Sequence, residues 1–203
     1  MDLVAILGRT LGFSFAAGIN LYATVAMLGL ASRFGWVELP AQFGVFDENV
    51  VIGVAIAMFL VEFAADKIPW VDTAWDSVHT LIRPIGGALL AVAALGEASP
   101  TLEGLVALLG GTVAATTHLT KASARMAINT SPEPVSNWVA SIAEDAFVLA
   151  LGYFALAHPV VAFLIIAVLL ALILAFWGVI FRLARRRLFG VSRGAPTTMA
   201  GAG

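Results

Sequence analysis

Residues 61–87 read VEFAADKIPWVDTAWDSVHTLIRPIGG. Glu62, Asp66, Lys67, Asp72, Asp76, His79 and Arg83 all fall inside this stretch, and long apolar runs lie on both sides of it. The whole chain is 61% hydrophobic and only 12% charged, with a mean hydropathy of +0.97. An ordinary soluble domain is nearer half apolar. A bilayer-crossing helix needs about 20 mostly apolar residues. The quoted stretch therefore reads as a helix end, a short turn at a membrane boundary and a new helix start.

Working outward, the apolar runs give an all-α, polytopic transmembrane bundle of about six spans with short loops. The spans are roughly 10–32, 49–66, 77–96, 104–121, 137–157 and 159–182. Residues 1–190 form a single transmembrane domain, and 191–203 a small, polar, disordered cytoplasmic tail. GEASPTLE (96–103) is a turn, and Pro159 after His158 forces a corner because proline cannot continue the preceding helix. Asp2 stands where a signal peptide would be basic, so the N-terminal segment is read as retained. Basic residues mark the cytoplasmic side. Lys67, Lys121, Arg125 and the RLARRR segment (182–187) share a side if both termini are cytoplasmic, leaving Arg33 outside. The arginine run reads as an anchor on anionic lipid.

Several classes are excluded. Net charge is −2, so no global field favours nucleic acid. Cysteine is absent, which removes disulfides and thiolate metal sites. Nucleotide loops, a serine elbow and HExxH are missing as well. Trp36, Trp70, Trp75, Trp138 and Trp177 fall near span ends, as an aromatic belt would.

Helical spacing places the ionisable groups in depth. Asp72, Asp76, His79 and Arg83 step by four, three and four, and His118, Lys121 and Arg125 by three and four. Asn137, Ser141 and Glu144 or Asp145 repeat the pattern. Each helix half thus carries one polar face, turned to protein or a wet cavity, and an apolar remainder. Folding the chain back around GEASPTLE sets Gly86 against Gly111, Gly87 against Gly110 and His79 against His118. The same register predicts structural ion pairs Asp76–Lys121 and Asp72–Arg125 near the inner boundary. Arg83, Glu144 and Asp145 lie deepest. A lone charge there costs about 3 kcal/mol on insertion scales, so Arg83 is expected against one of the two carboxylates. Asn20 follows Gly12 and Gly18, and this combination can mark a locally broken helix as at transporter substrate sites.

These residues carry a resemblance. GINLYATVAMLGLASRFG, VEFAADKIPWVDTAWDSVHTLIRPIGGAL and HLTKASARMAINTSPEPVSNWVASIAED resemble a bacterial inner-membrane family known as domain of unknown function 4126, over about residues 10–160. The resemblance implies a small multi-pass protein of the bacterial inner membrane and no particular activity.

The functional expectation is a small transporter or permease with a polar intramembrane site open to the cytoplasmic side. Its pathway residues are Asn20, Glu62, Asp66, His79, Arg83, His118, Glu144 and Asp145. The alternatives are a membrane-embedded enzyme acting on a lipid headgroup, with Arg83, Lys121 and Arg125 on phosphate, and an assembly or scaffold protein without chemistry. No cofactor is expected; His79 and His118 beside Glu62 and Asp66 leave a divalent metal open. The bilayer and a small solute or ion are the expected partners, with self-association open. Two hairpins of like orientation and an inverted pair of halves around GEASPTLE both fit the spacing.

Overall fold

The computed structural model describes residues 3–36, 41–130 and 135–189. The expected tail, 191–203, lies outside them. The described residues are helical without strands: α1 (Leu3–Ile19), α2 (Leu21–Arg33), a 3-10 helix (Ala41–Asp47), α3 (Asn49–Ala65), α4 (Pro69–Leu95), α5 (Pro100–Asn129), α6 (Val135–Ala157) and α7 (Pro159–Phe189). Helices α4, α5, α6 and α7 are long and apolar enough to cross a membrane, and α1 and α3 are shorter apolar helices. The chain divides into two compact units, residues 1–167 and 168–203. In the second, the α7 arginines Arg182, Arg185, Arg186 and Arg187 are exposed.

Local chemistry sets the helix ends. Pro69, Pro100 and Pro159 sit in first turns, where proline's missing N–H is not needed. Ser99 caps α5 by accepting from the Leu102 amide. Gly96 ends α4 at φ 82°, a conformation that favours glycine.

In the first unit α1 is the central helix. It packs on α4, α5 and α6, and every residue from Gly12 to Leu21 is buried. Small residues make this possible. A Cβ on Gly18 would come within 2.6 Å of the Ala114 carbonyl oxygen, and one on Gly12 within 2.8 Å of Ala155 Cβ. Close approach of this kind is how helices associate without a hydrophobic drive between them.

The contacts also fix the course of α1 and α2, and here the structure departs from the expected first span. Along α1, Gly8 meets Pro159, Gly12 meets Ala155, and Asn20, just beyond the helix, meets Asp145. So α1 runs antiparallel to α6. Along α2 the order reverses, because Met27 meets Gly152 after Asn20 has met Asp145. Gly29 then lies against Phe46 of the 3-10 helix and Ile52 at the start of α3. Residues 10–32 therefore do not cross as one helix. They enter from the end that holds the α6–α7 corner, turn at Asn20 and go back. The expectation of a cytoplasmic N-terminus combined the placement of the basic residues with a single crossing by this stretch, and the reversal at Asn20 removes the second of these premises. Hydropathy misled because an apolar stretch of this length serves a crossing and a re-entrant hairpin equally well.

Helices α4 and α5 form the most extensive helix pair. Of the expected glycine contacts, Gly87 and Gly110 do face one another, each also touching an alanine of the other helix (Ala114 and Ala91). Gly86 instead receives the Leu21 side chain, and Gly111 lies against Pro84 and Ala88. A Gly87→Leu substitution is expected to cost about 1–3 kcal/mol by overpacking this seam. Thermal unfolding in detergent checks it, with Gly53→Leu, where a Cβ meets open space, as the near-neutral control.

Candidate functional site

The polar stripes of α3, α4, α5 and α6 converge on the turn between α1 and α2. Glu62, Asp66, Asp72, Asp76, His79, Arg83, His118, Lys121, Arg125 and Asp145 are all buried, as is Asn20, while Glu144 is partly exposed. Every residue expected on the pathway thus lies in or beside one ionic network, and so do the four expected in structural pairs.

Arg83 is its centre. Its Nη2 donates to Glu62 Oε1 at 2.6 Å, with both side chains fully buried. Its Nη1 lies 3.3 Å from Asp76 Oδ1, donates to His118 Nδ1 at 2.8 Å and reaches the Gly18 carbonyl at 3.4 Å. An arginine only donates, so His118 Nδ1 must accept. His118 Nε2 in turn meets the Asp76 carbonyl at 3.1 Å, and a carbonyl only accepts. These two partners fix His118 as the neutral tautomer with its proton on Nε2.

Lys121 holds the next position. Its ammonium donates to the Ile19 carbonyl at 3.0 Å and lies 3.3 Å from Glu144 Oε2, 3.7 Å from Glu62 Oε1 and 3.8 Å from Asp66 Oδ2. Arg125 lies below it, with Nε 3.2 Å from Asp72 Oδ2, Nη1 donating to the Asn137 carbonyl and Nη2 to the Asp66 carbonyl. The expected Asp72–Arg125 pair is therefore present. The expected Asp76–Lys121 pair is not: Asp76 turns to Arg83, and Lys121 gathers Glu62, Asp66 and Glu144. Nor does Arg83 meet Glu144 or Asp145, because Glu62 from α3 reaches it first. Long cationic side chains extend along the helix axis, so equal Cα depth does not select the partner.

The α1–α2 turn is tied in at three atoms. Its freed carbonyls, Gly18 and Ile19, accept from Arg83 and Lys121. Asn20 Oδ1 caps α2 by accepting from the Ala23 amide at 2.9 Å, and its Nδ2 donates to Asp145 Oδ1 at 3.0 Å. Cations at the C-terminal end of α1 also suit that helix's dipole. Asp145 has no cation within ion-pairing distance among the described residues, and its Oδ2 has no hydrogen-bond partner.

The two histidines separate. His79 Nδ1 meets the Trp75 carbonyl at 2.8 Å, its Nε2 the Tyr22 hydroxyl at 3.0 Å, and its ring stacks on Trp75 at 4.5 Å. Trp75 is thus a packing partner of His79. No group of three or more His, Cys, Asp or Glu residues is arranged to hold a metal ion among the described residues. Tyr22 and Asn129 were not anticipated in the network. Asn129 belongs to a sequon-like triplet in the sequence, yet its Nδ2 donates to Asp72 Oδ2 at 2.8 Å and to the Pro69 carbonyl.

At the α3–α4 corner Lys67 donates to the Phe63 carbonyl and to Ser141, and its ammonium sits 3.0 Å from the centre of the Phe63 ring. Burial pushes the Lys67 ammonium below its usual pKa, with Asp66 acting the other way. Counting it, four cations (Lys67, Arg83, Lys121, Arg125) stand against six carboxylates (Glu62, Asp66, Asp72, Asp76, Glu144, Asp145). The network is short of two positive charges.

The family described as a domain of unknown function (DUF4126) matches residues 7–178. That span contains the α1–α2 turn and every member of the network. The chain belongs to this family. No curated protein and no solved structure matches it. Membership in DUF4126 agrees with the apolar helices of a multi-pass membrane protein and assigns no activity.

Proposed function

We propose that the protein is a small proton-linked carrier of the bacterial inner membrane. The observation that supports this reading is the helix reversal at Asn20. Non-helical backbone at membrane depth is tolerated only where it is buried in protein or lines a cavity. Discontinuous helices whose ends meet fixed charges are how many carriers build their sites. Here the broken ends meet Arg83, Lys121 and Asp145 together.

In this reading α3 to α7 cross the membrane and α1–α2 dips into it. The end with Lys67 and Arg125 faces the cytoplasm. The opposite end carries Arg9 and Arg33, fewer basic residues than the Lys67, Lys121 and Arg125 of the end placed inside. Asp145 is the group that takes up the proton, since its partner is a neutral amide and not a cation. Protonation weakens its hold on Asn20 and lets the hairpin tip move. Arg83 and Lys121 then offer donors to a small solute.

The test uses purified protein in liposomes that contain a pH-sensitive dye. A panel of amino acids, sugars and organic acids is added under an inward proton gradient. At least one solute is expected to accelerate proton entry, and Asp145→Asn, inserted equally well, to reduce that entry at least tenfold, or about 1.4 kcal/mol. No solute-dependent proton movement in the wild type, or full coupling in Asp145→Asn, overturns the reading. Lipid turnover in detergent without any gradient would favour the headgroup enzyme instead.

A further inference from the structure

Lys67 takes no part in the carrier reading, yet it stands beside the group on which that reading turns. Among the described residues, the network cations Arg83, Lys121 and Arg125 each lie within ion-pairing distance of a carboxylate. So do Glu62, Asp66, Asp72, Asp76 and Glu144. Lys67 and Asp145 do not. The network thus leaves over one cation and one carboxylate.

The two are neighbours. Lys67 Nζ donates to Ser141 Oγ at 3.4 Å. Ser141 and Asp145 are four residues apart on the buried face of α6, so their Cβ atoms are about 5–6 Å apart. The ammonium therefore stops about one helical turn short of Asp145. It is parked against its own segment, on the Phe63 carbonyl at 2.8 Å and over the Phe63 ring. Lys67 belongs to the turn between α3 and α4 and is partly exposed. The charges that act on it are Asp66 and Asp145, which favour its charged form, and Arg125, which opposes it. A flexible four-carbon stem on a turn residue can carry the ammonium through one helical turn without moving a helix.

We propose that Lys67 is the second partner of Asp145, engaged when the α1–α2 tip lets go. The structure holds one state, with Asp145 on Asn20 and Lys67 on Ser141. In the other state Lys67 is on Asp145. A buried carboxylate that loses its hydrogen bond must find a proton or a cation. Both are at hand here, and they compete for the same group. An approaching ammonium favours the charged carboxylate. The O–H bond of protonated Asp145 then breaks, its proton goes to water at the end that holds Lys67, and Lys67 stays protonated throughout. The use of the pair to expel the proton rests on the carrier reading, whereas the pair itself does not.

The experiment reads Lys67 directly. The full chain in detergent is acetylated with the N-hydroxysuccinimide ester of acetic acid, and the Lys67 peptide is followed by mass spectrometry. The chain has only two lysines, and Lys121 is buried among three carboxylates. An amine reacts through its neutral form, which an ion pair disfavours. Asn20→Ser keeps a capping oxygen for α2 but is too short to reach Asp145. It is expected to slow Lys67 acetylation about threefold or more, and Asn20→Ser, Asp145→Asn to restore the wild-type rate. Ser141→Ala removes the present hydroxyl partner and leaves the tip alone. It is expected to slow acetylation too, because the ammonium settles on Asp145, whose Oδ2 has no hydrogen-bond partner; an amine merely set free would react faster. That variant decides the question where Asn20→Ser fails to fold. An unchanged or faster rate in Asn20→Ser, or a slowing that persists without the Asp145 carboxylate, overturns the proposal. No gradient or solute enters this test, so a failed transport assay leaves the pairing standing.

Discussion

Arg83→Met lowers the stability of the protein by about 3–5 kcal/mol, the usual cost of leaving a buried charge without its partner. Arg83 and Glu62 are both fully buried and 2.6 Å apart. Without the guanidinium, Glu62 keeps only Lys121 at 3.7 Å, which already serves Asp66 and Glu144. His118 Nδ1 and the Gly18 carbonyl lose a donor at the same time. Arg83→Lys restores the charge but not the fork that reaches Glu62, Asp76 and His118 together, so it recovers less than half of the loss. The pairing itself is isolated by the double variant Glu62→Gln, Arg83→Met. Its cost falls below the sum of the two single costs by about 1–3 kcal/mol, as expected for groups in one network. Chemical unfolding in mixed micelles measures the wild type and the four variants. An Arg83→Met protein within about 0.5 kcal/mol of wild type, the range of ordinary surface substitutions, would show that the network contributes little to the fold.

The stripe that carries this prediction was legible in the sequence. Asp72, Asp76, His79 and Arg83 recur at helical spacing, and all four are buried on one face of α4. The antiparallel register of α4 and α5 was legible as well, since it placed Asp72 against Arg125 and Gly87 against Gly110. It was right to within about one helical turn, and that is where it failed. Gly87 also packs on Ala114, and Gly110 on Ala91. A shift of that size is enough to hand Lys121 to Glu62, Asp66 and Glu144, and Asp76 to Arg83. Glu62 was expected on the pathway but not as the partner of Arg83, because that pairing depends on how α3 packs and no spacing within α4 or α5 reports it. The α1–α2 reversal was half legible. Gly18 and Asn20 marked a break, but the direction after it depends on Met27 meeting Gly152, a contact between distant segments.

A consequence of this geometry is that one neutral side chain holds both the backbone and the charge at the hairpin tip. Asn20→Ala is expected to cost about 2–5 kcal/mol, for two separable reasons. The α2 cap is lost, worth about 0.5–2 kcal/mol, because the Ala23 amide no longer has Asn20 Oδ1 at 2.9 Å. The hydrogen bond to Asp145 is lost too, worth about 1.5–3 kcal/mol for a charged acceptor. The two parts respond differently to further substitution. Asn20→Ser keeps a capping oxygen but is too short to reach Asp145, so it recovers only the smaller share. In an Asp145→Asn background the charged acceptor is already gone, and Asn20→Ala then costs little more than the cap. A simple packing role for Asn20 predicts the opposite: an equal penalty in both backgrounds and no rescue by serine. Unfolding of the four combinations in detergent distinguishes the two. Equal penalties would detach Asp145 from the hairpin, and with it the reason for placing the proton there.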